Sequence, residues 1–285
     1  MSAIRAPRIR VRRAVRWVAL VVFFLYVALP LYWIAISSVT PLSELFRSPP
    51  TLWPGELTTH SYQRMVDALP FRAYLLNSFI FSFGSAIASC AVSFFAAYAF
   101  ARHRFRGSGA LFALFMLSQA LPPIATVIPL FQLFKGLGLI NTLQGLVVVM
   151  ASLLVPFTIW ILTAFIRQIP EEIEEAARID GAGPFTVIVR IVGPLALPAL
   201  ATLFLINFII TWNELFYPLV FASGTGAKPL TLGLVELTTS STGVTEGRPW
   251  DLLSALSIVM IIPPVILVTV FQRWVVQGLT RGAVR

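Results

Sequence analysis

Long apolar runs alternate with short polar joints along this chain. Six runs stand out, at about 17–39, 74–101, 110–134, 143–166, 195–222 and 250–273. Each reaches the roughly 20 apolar residues that a helix needs to cross hydrocarbon. The pattern therefore predicts an all-α membrane protein with six transmembrane helices. Prolines fall inside several runs, at Pro30, Pro122, Pro123, Pro129, Pro156, Pro218, Pro263 and Pro264. Membrane helices tolerate them where neighbours or cavity water satisfy the freed carbonyls. Most read as static kinks. At Pro122-Pro123 and Pro263-Pro264 a kink and a hinge or pore-lining irregularity stand as equal readings.

The polar joints carry the orientation signal. With six spans, both termini lie on one side. That side holds Arg5, Arg8, Arg10, Arg12, Arg13 and Arg16, then Arg102, Arg104 and Arg106. It also holds Arg167, Arg178 and Arg190, and finally Arg273, Arg281 and Arg285. The other side holds Arg47, Arg64, Arg72, Lys135, Lys228 and Arg248. Fifteen cations against six places both termini in the cytoplasm. The domain reading follows: a basic cytoplasmic N-terminus at 1–16, one six-span domain at 17–273, and a cytoplasmic tail at 274–285. The outer connections, about 40–73 and 223–249, are too short to be domains of ordinary size. Leu57 to Leu69 has room for one short amphipathic helix.

Composition narrows the class. The chain is 58% hydrophobic and 12% charged, with mean hydropathy +0.86. Soluble domains carry about 45–50% apolar and about 25% charged residues. Bilayer, rather than an aggregating soluble chain, accounts for the missing charge. The net charge of +9 does not point to nucleic acid, because the arginines cluster at the ends of apolar runs. Cys90 stands alone, so no intrachain disulfide is available. The first run, Val15 to Ile36, exceeds the 7–15 residues, roughly, of a signal-peptide core and reads as a retained span.

The joint between runs four and five, residues 167–194, is the unusual one. Pro170 suits the first turn of a helix. Glu171, Glu172, Glu174 and Glu175 complement the positive end of its dipole. Glu174 and Arg178 stand i,i+4 in the favourable order. Gly181-Ala182-Gly183-Pro184 then stops it. The expected helix has about ten residues and a length of about 15 Å. Ile173, Ala176, Ala177 and Asp180 share one face, where alanines admit a partner's backbone closely. A solvated connecting helix and a docking helix remain equal readings of the residues alone.

The order Glu175-Ala176-Ala177, three residues, Gly181, nine residues, Ile191-x-x-Pro194 resembles the EAA motif of importer permeases in the ATP-binding cassette (ABC) class. Gly193 stands where that pattern has leucine, a departure expected to loosen the return into span five. Asn77-Ser78, Trp212-Asn213-Glu214 and the tail Gln277-Gly278-Leu279-Thr280-x-Gly282-Ala283-Val284 extend the likeness over nearly the whole chain. Together they resemble the sugar-type permeases of the maltose-permease kind. That resemblance implies a second, different permease subunit, two ATPase subunits that hold ATP and Mg, and an extracytoplasmic solute-binding protein. It implies a bacterial or archaeal cytoplasmic membrane. It makes Glu175, Ala176, Ala177, Asp180 and Gly181 the helix that couples to the ATPases, and lets the tail after Arg273 reach them too.

Candidate solute contacts come from the residues. Glu214 is read as the carboxylate deep inside a span, and such groups face a cavity or a partner. Trp212, Asn213 and Tyr217 beside it combine aromatic surface with amide hydrogen bonding, a mixture that suits sugar hydroxyls. Asn77, Gln119 and Asn207 are weaker candidates, since intramembrane amides more often join helices. Trp17, Trp33, Trp53, Trp250 and Trp274 read as interfacial anchors. His60 and His103 lack metal-ligand spacing. No nucleotide-binding G-x-x-x-x-G-K-[ST] occurs, so neither a cofactor nor ATP hydrolysis is expected in this chain. The cargo reads as a neutral mono- or oligosaccharide, with a polyol or glycerol phosphate ester as the alternative within the same machinery. An ion-gradient transporter and an intramembrane enzyme built on Glu214 and Asn213 are remoter rivals.

Overall fold

A computed structural model describes the backbone over 6–48, 52–103, 105–222, 224, 226–239 and 249–281, with side chains except at 6–12, 14 and 275–281. The side chains of Arg5, Arg8, Arg10, Arg12, Arg104, Arg248, Arg281 and Arg285, and of the tail motif from Gln277, therefore lie outside the description. All regular structure among the described residues is helical. The chain divides into two compact units: residues 1–69 with 237–261, and residues 70–236 with 262–285.

The first unit opens with α1 (Ala6–Ser38), whose Val15–Ser38 stretch is apolar and almost wholly exposed. Two short helices follow, α2 (Leu42–Leu45) and α3 (His60–Ala68). The latter is the expected amphipathic helix, and it buries Met65. Ser38 Oγ and Tyr62 Oη share a hydrogen bond of 2.9 Å. Arg64 Nη1 pairs with the buried Asp251 Oδ2 at 2.9 Å, at the start of α13 (Trp250–Arg281).

The second unit is organised on α4 (Phe71–Arg102), α7 (Leu143–Ile166) and α10 (Gly193–Trp212). Ser82, Ser85, Ser89 and Ser93 recur at helical spacing on α4 and are all buried. Small side chains let helices approach closely in lipid, where no hydrophobic drive pulls them together. A Cβ on Gly84 would stand 3.0 Å from Val147 Cγ2. Ser93 Oγ donates to Val155 O at 3.2 Å. Asn207 ties all three helices, its Nδ2 donating to Ser89 Oγ (2.9 Å) and Thr158 Oγ1 (3.0 Å). This helix-joining role is the one that the sequence favours for intramembrane amides.

The expected spans appear as Val15–Ser38, Phe71–Arg102, Leu143–Ile166, Pro184–Trp212 and Trp250–Trp274, plus one broken pair. That pair is α5 (Ser108–Ser118) and α6 (Pro123–Gly136), whose axes bend by 103°. The cause is local. A residue before proline is pushed out of the α region, and Pro122 accordingly has ψ 133°. Pro123 then restarts the helix, where its missing N–H costs nothing. By contrast, Pro263 and Pro264 lie inside an α13 that continues through them.

Span five also differs from its expected bounds. It begins at Pro184 as α9 (Pro184–Thr186), passes through a π-helical turn (Val187–Val192) and continues as α10. Gly193 N–H reaches back to Ile188 O, one residue further than an α-helix would. Pro194 has no N–H to offer, so the register slips just before it. The π turn lies inside a continuous span and ends at Gly193, the position that departs from the family pattern. At its other end the helix stops at Trp212, and a separate short helix α11 (Phe216–Phe221) follows. The last element of this region is α12 (Leu230–Thr239).

Candidate functional site

The joint 167–194 forms α8 (Glu171–Ile179), one residue shorter than expected. Pro170, with ψ 132°, sets its start. Its end is a left-handed cap. Gly181 has φ +88°, Gly181 N–H bonds Arg178 O (3.0 Å), and Ala182 N–H bonds Ala177 O (2.9 Å). These two bonds satisfy orphan carbonyls of the last turn, and the positive φ favours glycine.

Two faces emerge. Glu174 is 1% exposed and points inward. Its Oε2 accepts from Tyr98 Oη at 2.7 Å, and its Oε1 from Arg102 Nε at 2.7 Å. The i,i+4 partner Arg178 is further away, with Nη2 3.4 Å from Oε2. Arg102 Nη2 also donates to Ile169 O at 2.7 Å. Ala177 leans onto the core formed by Ala97, Tyr98, Ile166 and Val187. It is therefore half-buried, at the inward edge rather than on the open face that helical geometry assigned it. Glu172, Glu175, Ala176, Asp180 and Gly181 are exposed, as is Ile179 at 87%. Ile173 is exposed as well, and Phe185 adds a third exposed apolar side chain, its ring stacked on Phe95. Tyr98 and Arg102 escaped the sequence reading because they lie more than seventy residues upstream. Their i,i+4 spacing at the end of a span was the available signal.

Asn207 joins helices, and the other six candidate solute contacts separate. Glu214 lies in the break between α10 and α11, not inside an unbroken helix. Its Oε1 accepts from Phe216 N–H (2.7 Å) and Tyr217 N–H (3.2 Å), which caps α11. Helix N-termini leave such donors unpaired, so the carboxylate has a structural partner without any ligand. Trp212 is 2% exposed, stacked on Phe208 and tilted against Phe79. It packs inside the unit. Asn213 is exposed, and its Nδ2 folds back to Ile209 O at 2.8 Å. Asn77 donates to Gly226 O and to Lys228 O (3.0 Å), holding the approach to α12. Gln119 and Tyr217 do come together. They line a cleft of about 420 Å³ between α5, α6, α7, α10 and α11, with Ser118 and Thr126 as further polar walls. The 103° bend opens this cleft, and a periodicity argument contains no term for such a bend.

Residues 91–281 match the family model described as binding-protein-dependent transport system inner membrane component. The chain belongs to that family. The trehalose transport system permease protein SugB of Mycobacterium tuberculosis is 33% identical over 275 residues, covering 96% of this chain and 98% of the relative. The sn-glycerol-3-phosphate transport system permease protein UgpE of Agrobacterium fabrum is 32% identical over 280 residues, 94% of this chain and 96% of the relative. The trehalose/maltose permease protein MalG of Thermococcus litoralis is 33% identical over 259 residues, 90% and 91% of the two chains. Among solved structures, a chain of a bacterial ABC transporter involved in import of the acidic polysaccharide alginate superposes with TM-score 0.83. Identity there is 23%, with 96% of this chain and all of that one covered. The fold is thus the ABC importer permease fold, and the family is that of sugar and glycerol-phosphate importers. The relatives are permease subunits of such systems.

Proposed function

We propose that this chain is one of two different permease subunits of an ATP-driven importer, and that α8 couples it to separate ATPase subunits. One observation carries the reading: α8 is anchored by a buried carboxylate on one side and presents Glu175, Ala176, Ile179, Asp180 and Gly181 to the outside on the other. A short helix rich in glutamates that also exposes Ile173 and Ile179 suits a basic groove with an apolar floor. ATP and Mg belong to the ATPases. A solute-binding protein delivers the cargo from the other face of the membrane, and both chain termini lie on the ATPase side with lipid around the spans. The broken pair α5 and α6, with Gln119 and Tyr217 in its cleft, is the proposed stretch of solute path in this subunit. Glu214 caps α11, the helix that carries Tyr217.

The proposed cargo is a sugar, because the cleft joins an aromatic ring to amide and hydroxyl groups and, among the described residues, its walls carry no cationic side chain. A polyol or glycerol phosphate ester is the alternative, the latter matching the name of one relative. Transport follows alternating access, with nucleotide state biasing an inward-open and an outward-open form through contacts that differ between them. The test uses the assembled complex. Glu175→Lys and Gly181→Val should leave the chain inserted while ATPase subunits fail to co-purify or transport uncouples. Valine at φ +88° is strained whatever space surrounds it. Normal ATPase retention together with normal transport in both variants would refute the docking role.

A further inference from the structure

The proposed coupling helix is tied into the bundle covalently at both ends, from α7 through Arg167 to Pro170 and into span five through Gly181 to Pro184. The second of these contains the π-helical turn Val187–Val192, whose longer register closes its hydrogen bonds less tightly than an α-helix. A further route is not covalent. Glu174 reaches sideways to α4 and is held there by Tyr98 Oη and Arg102 Nε, both at 2.7 Å. Tyr98 and Arg102 are one turn apart on the last stretch of α4. Side chains of Arg102 and Glu174 are 5% and 2% exposed. Charge-assisted hydrogen bonds are short and strong, and away from water they are hard to exchange. Arg102 grips a second point as well, Ile169 O, immediately before α8. Three hydrogen bonds thus tie both the entry and the inner face of α8 to the end of α4.

We infer that Glu174, Tyr98 and Arg102 form a clamp that makes α8 and the end of α4 move as one body, so that the push on α8 is delivered to span two. The inference rests on the reading of α8 as the coupling helix. Solvation of a surface helix does not require any of it: a buried carboxylate is costly unless paired, and here it is paired across elements rather than along its own helix. These are positioning residues, since none belongs to the exposed docking face.

The experiment uses the complete transporter in nanodiscs, with its ATPases, second permease and cargo-loaded binding protein. Tyr98→Phe removes one hydroxyl, and Glu174→Gln keeps the shape while removing the charge. Both variants should retain their ATPases; Glu174→Gln should lower the melting temperature, since it leaves the buried Arg102 without its countercharge, and Tyr98→Phe should change it less. Solute moved per ATP hydrolysed should fall about tenfold, within the usual range of coupling between two sites. The double variant should be no worse than the poorer single one, because both break one clamp. Ile179→Asp on the exposed face serves as the reference and should shed the ATPases. Transport per ATP equal to that of the unaltered chain in both clamp variants, with Ile179→Asp still shedding ATPase, overturns the clamp alone. Loss of ATPase from the clamp variants also overturns it, since the network would then only shape the docking surface. An Ile179→Asp complex that keeps its ATPases overturns the docking reading and the clamp with it. Should Glu174→Gln not insert, Tyr98→Phe decides alone.

Discussion

Gly145→Ala is a single-methyl test of how the turn before α7 is built. The ideal Cβ would stand 2.0 Å from Leu139 O, 3.0 Å from Leu139 C and 3.1 Å from Thr142 Oγ1. Carbon and carbonyl oxygen come no closer than about 3.3 Å in ordinary contacts, so the turn must open by about 1.3 Å. The atoms it must move are committed. Thr142 Oγ1 donates to Leu139 O (2.8 Å) and accepts from Gly145 N–H (3.0 Å), which makes Thr142 the cap of α7. Asn141, at φ 60°, donates its N–H to Phe221 O (2.7 Å). Losing the cap costs about 1 kcal/mol, and forcing a methyl into a packed site costs about 1–3 kcal/mol more. The sum is a loss of about 2–4 kcal/mol. Gly136→Ala is the matched control. Nothing lies within 4 Å of its Cβ, and it ends α6 without a positive φ. There alanine should gain about 0.4–1 kcal/mol by restricting the unfolded chain. Unfolding in mixed micelles titrated with SDS, followed by tryptophan fluorescence, measures both. A Gly145→Ala protein within about 0.5 kcal/mol of the unaltered one, or a control that is equally destabilised, would refute the argument.

Two further outcomes can be checked. Arg64→Ala leaves the buried Asp251 carboxylate without its 2.9 Å partner, and its Oδ1 has no hydrogen-bond partner among the described residues. The expected loss is about 2 kcal/mol, reduced because Arg64 is itself part-exposed. The double change Arg64→Ala with Asp251→Asn should recover part of it in the same titration, and a fully additive cycle would contradict the pairing. In the cleft, Gln119→Leu should raise the solute concentration that half-saturates transport while ATPase retention stays normal. An unchanged saturation curve would remove Gln119 from the solute path.

Helical apolarity and cation placement were enough to read six spans and an all-α class, since the cost of unpaired backbone in lipid leaves few alternatives. The helix in the joint 167–194 was legible for the same reason that caps are local: Pro170, the glutamates and Gly181 each act within one turn. Proline chemistry at 122–123 announced an irregularity, but whether it meant a kink or a 103° break depended on packing around it. Pro263-Pro264 looked similar and left its helix continuous.

Side-chain destinations were a different matter. Glu174 read as half of a surface pair with Arg178, yet its chief partners come from α4. Glu214 read as an intramembrane carboxylate facing a cavity or a partner, and it caps the next helix. Ala177 and Trp212 turned inward, and only Gln119 and Tyr217 met in a cleft. Sequence alone determined what each segment must be, because periodicity, capping and the price of burial act over a few residues. Tertiary structure decided which distant polar groups meet, because no local pattern names a partner seventy or more positions away.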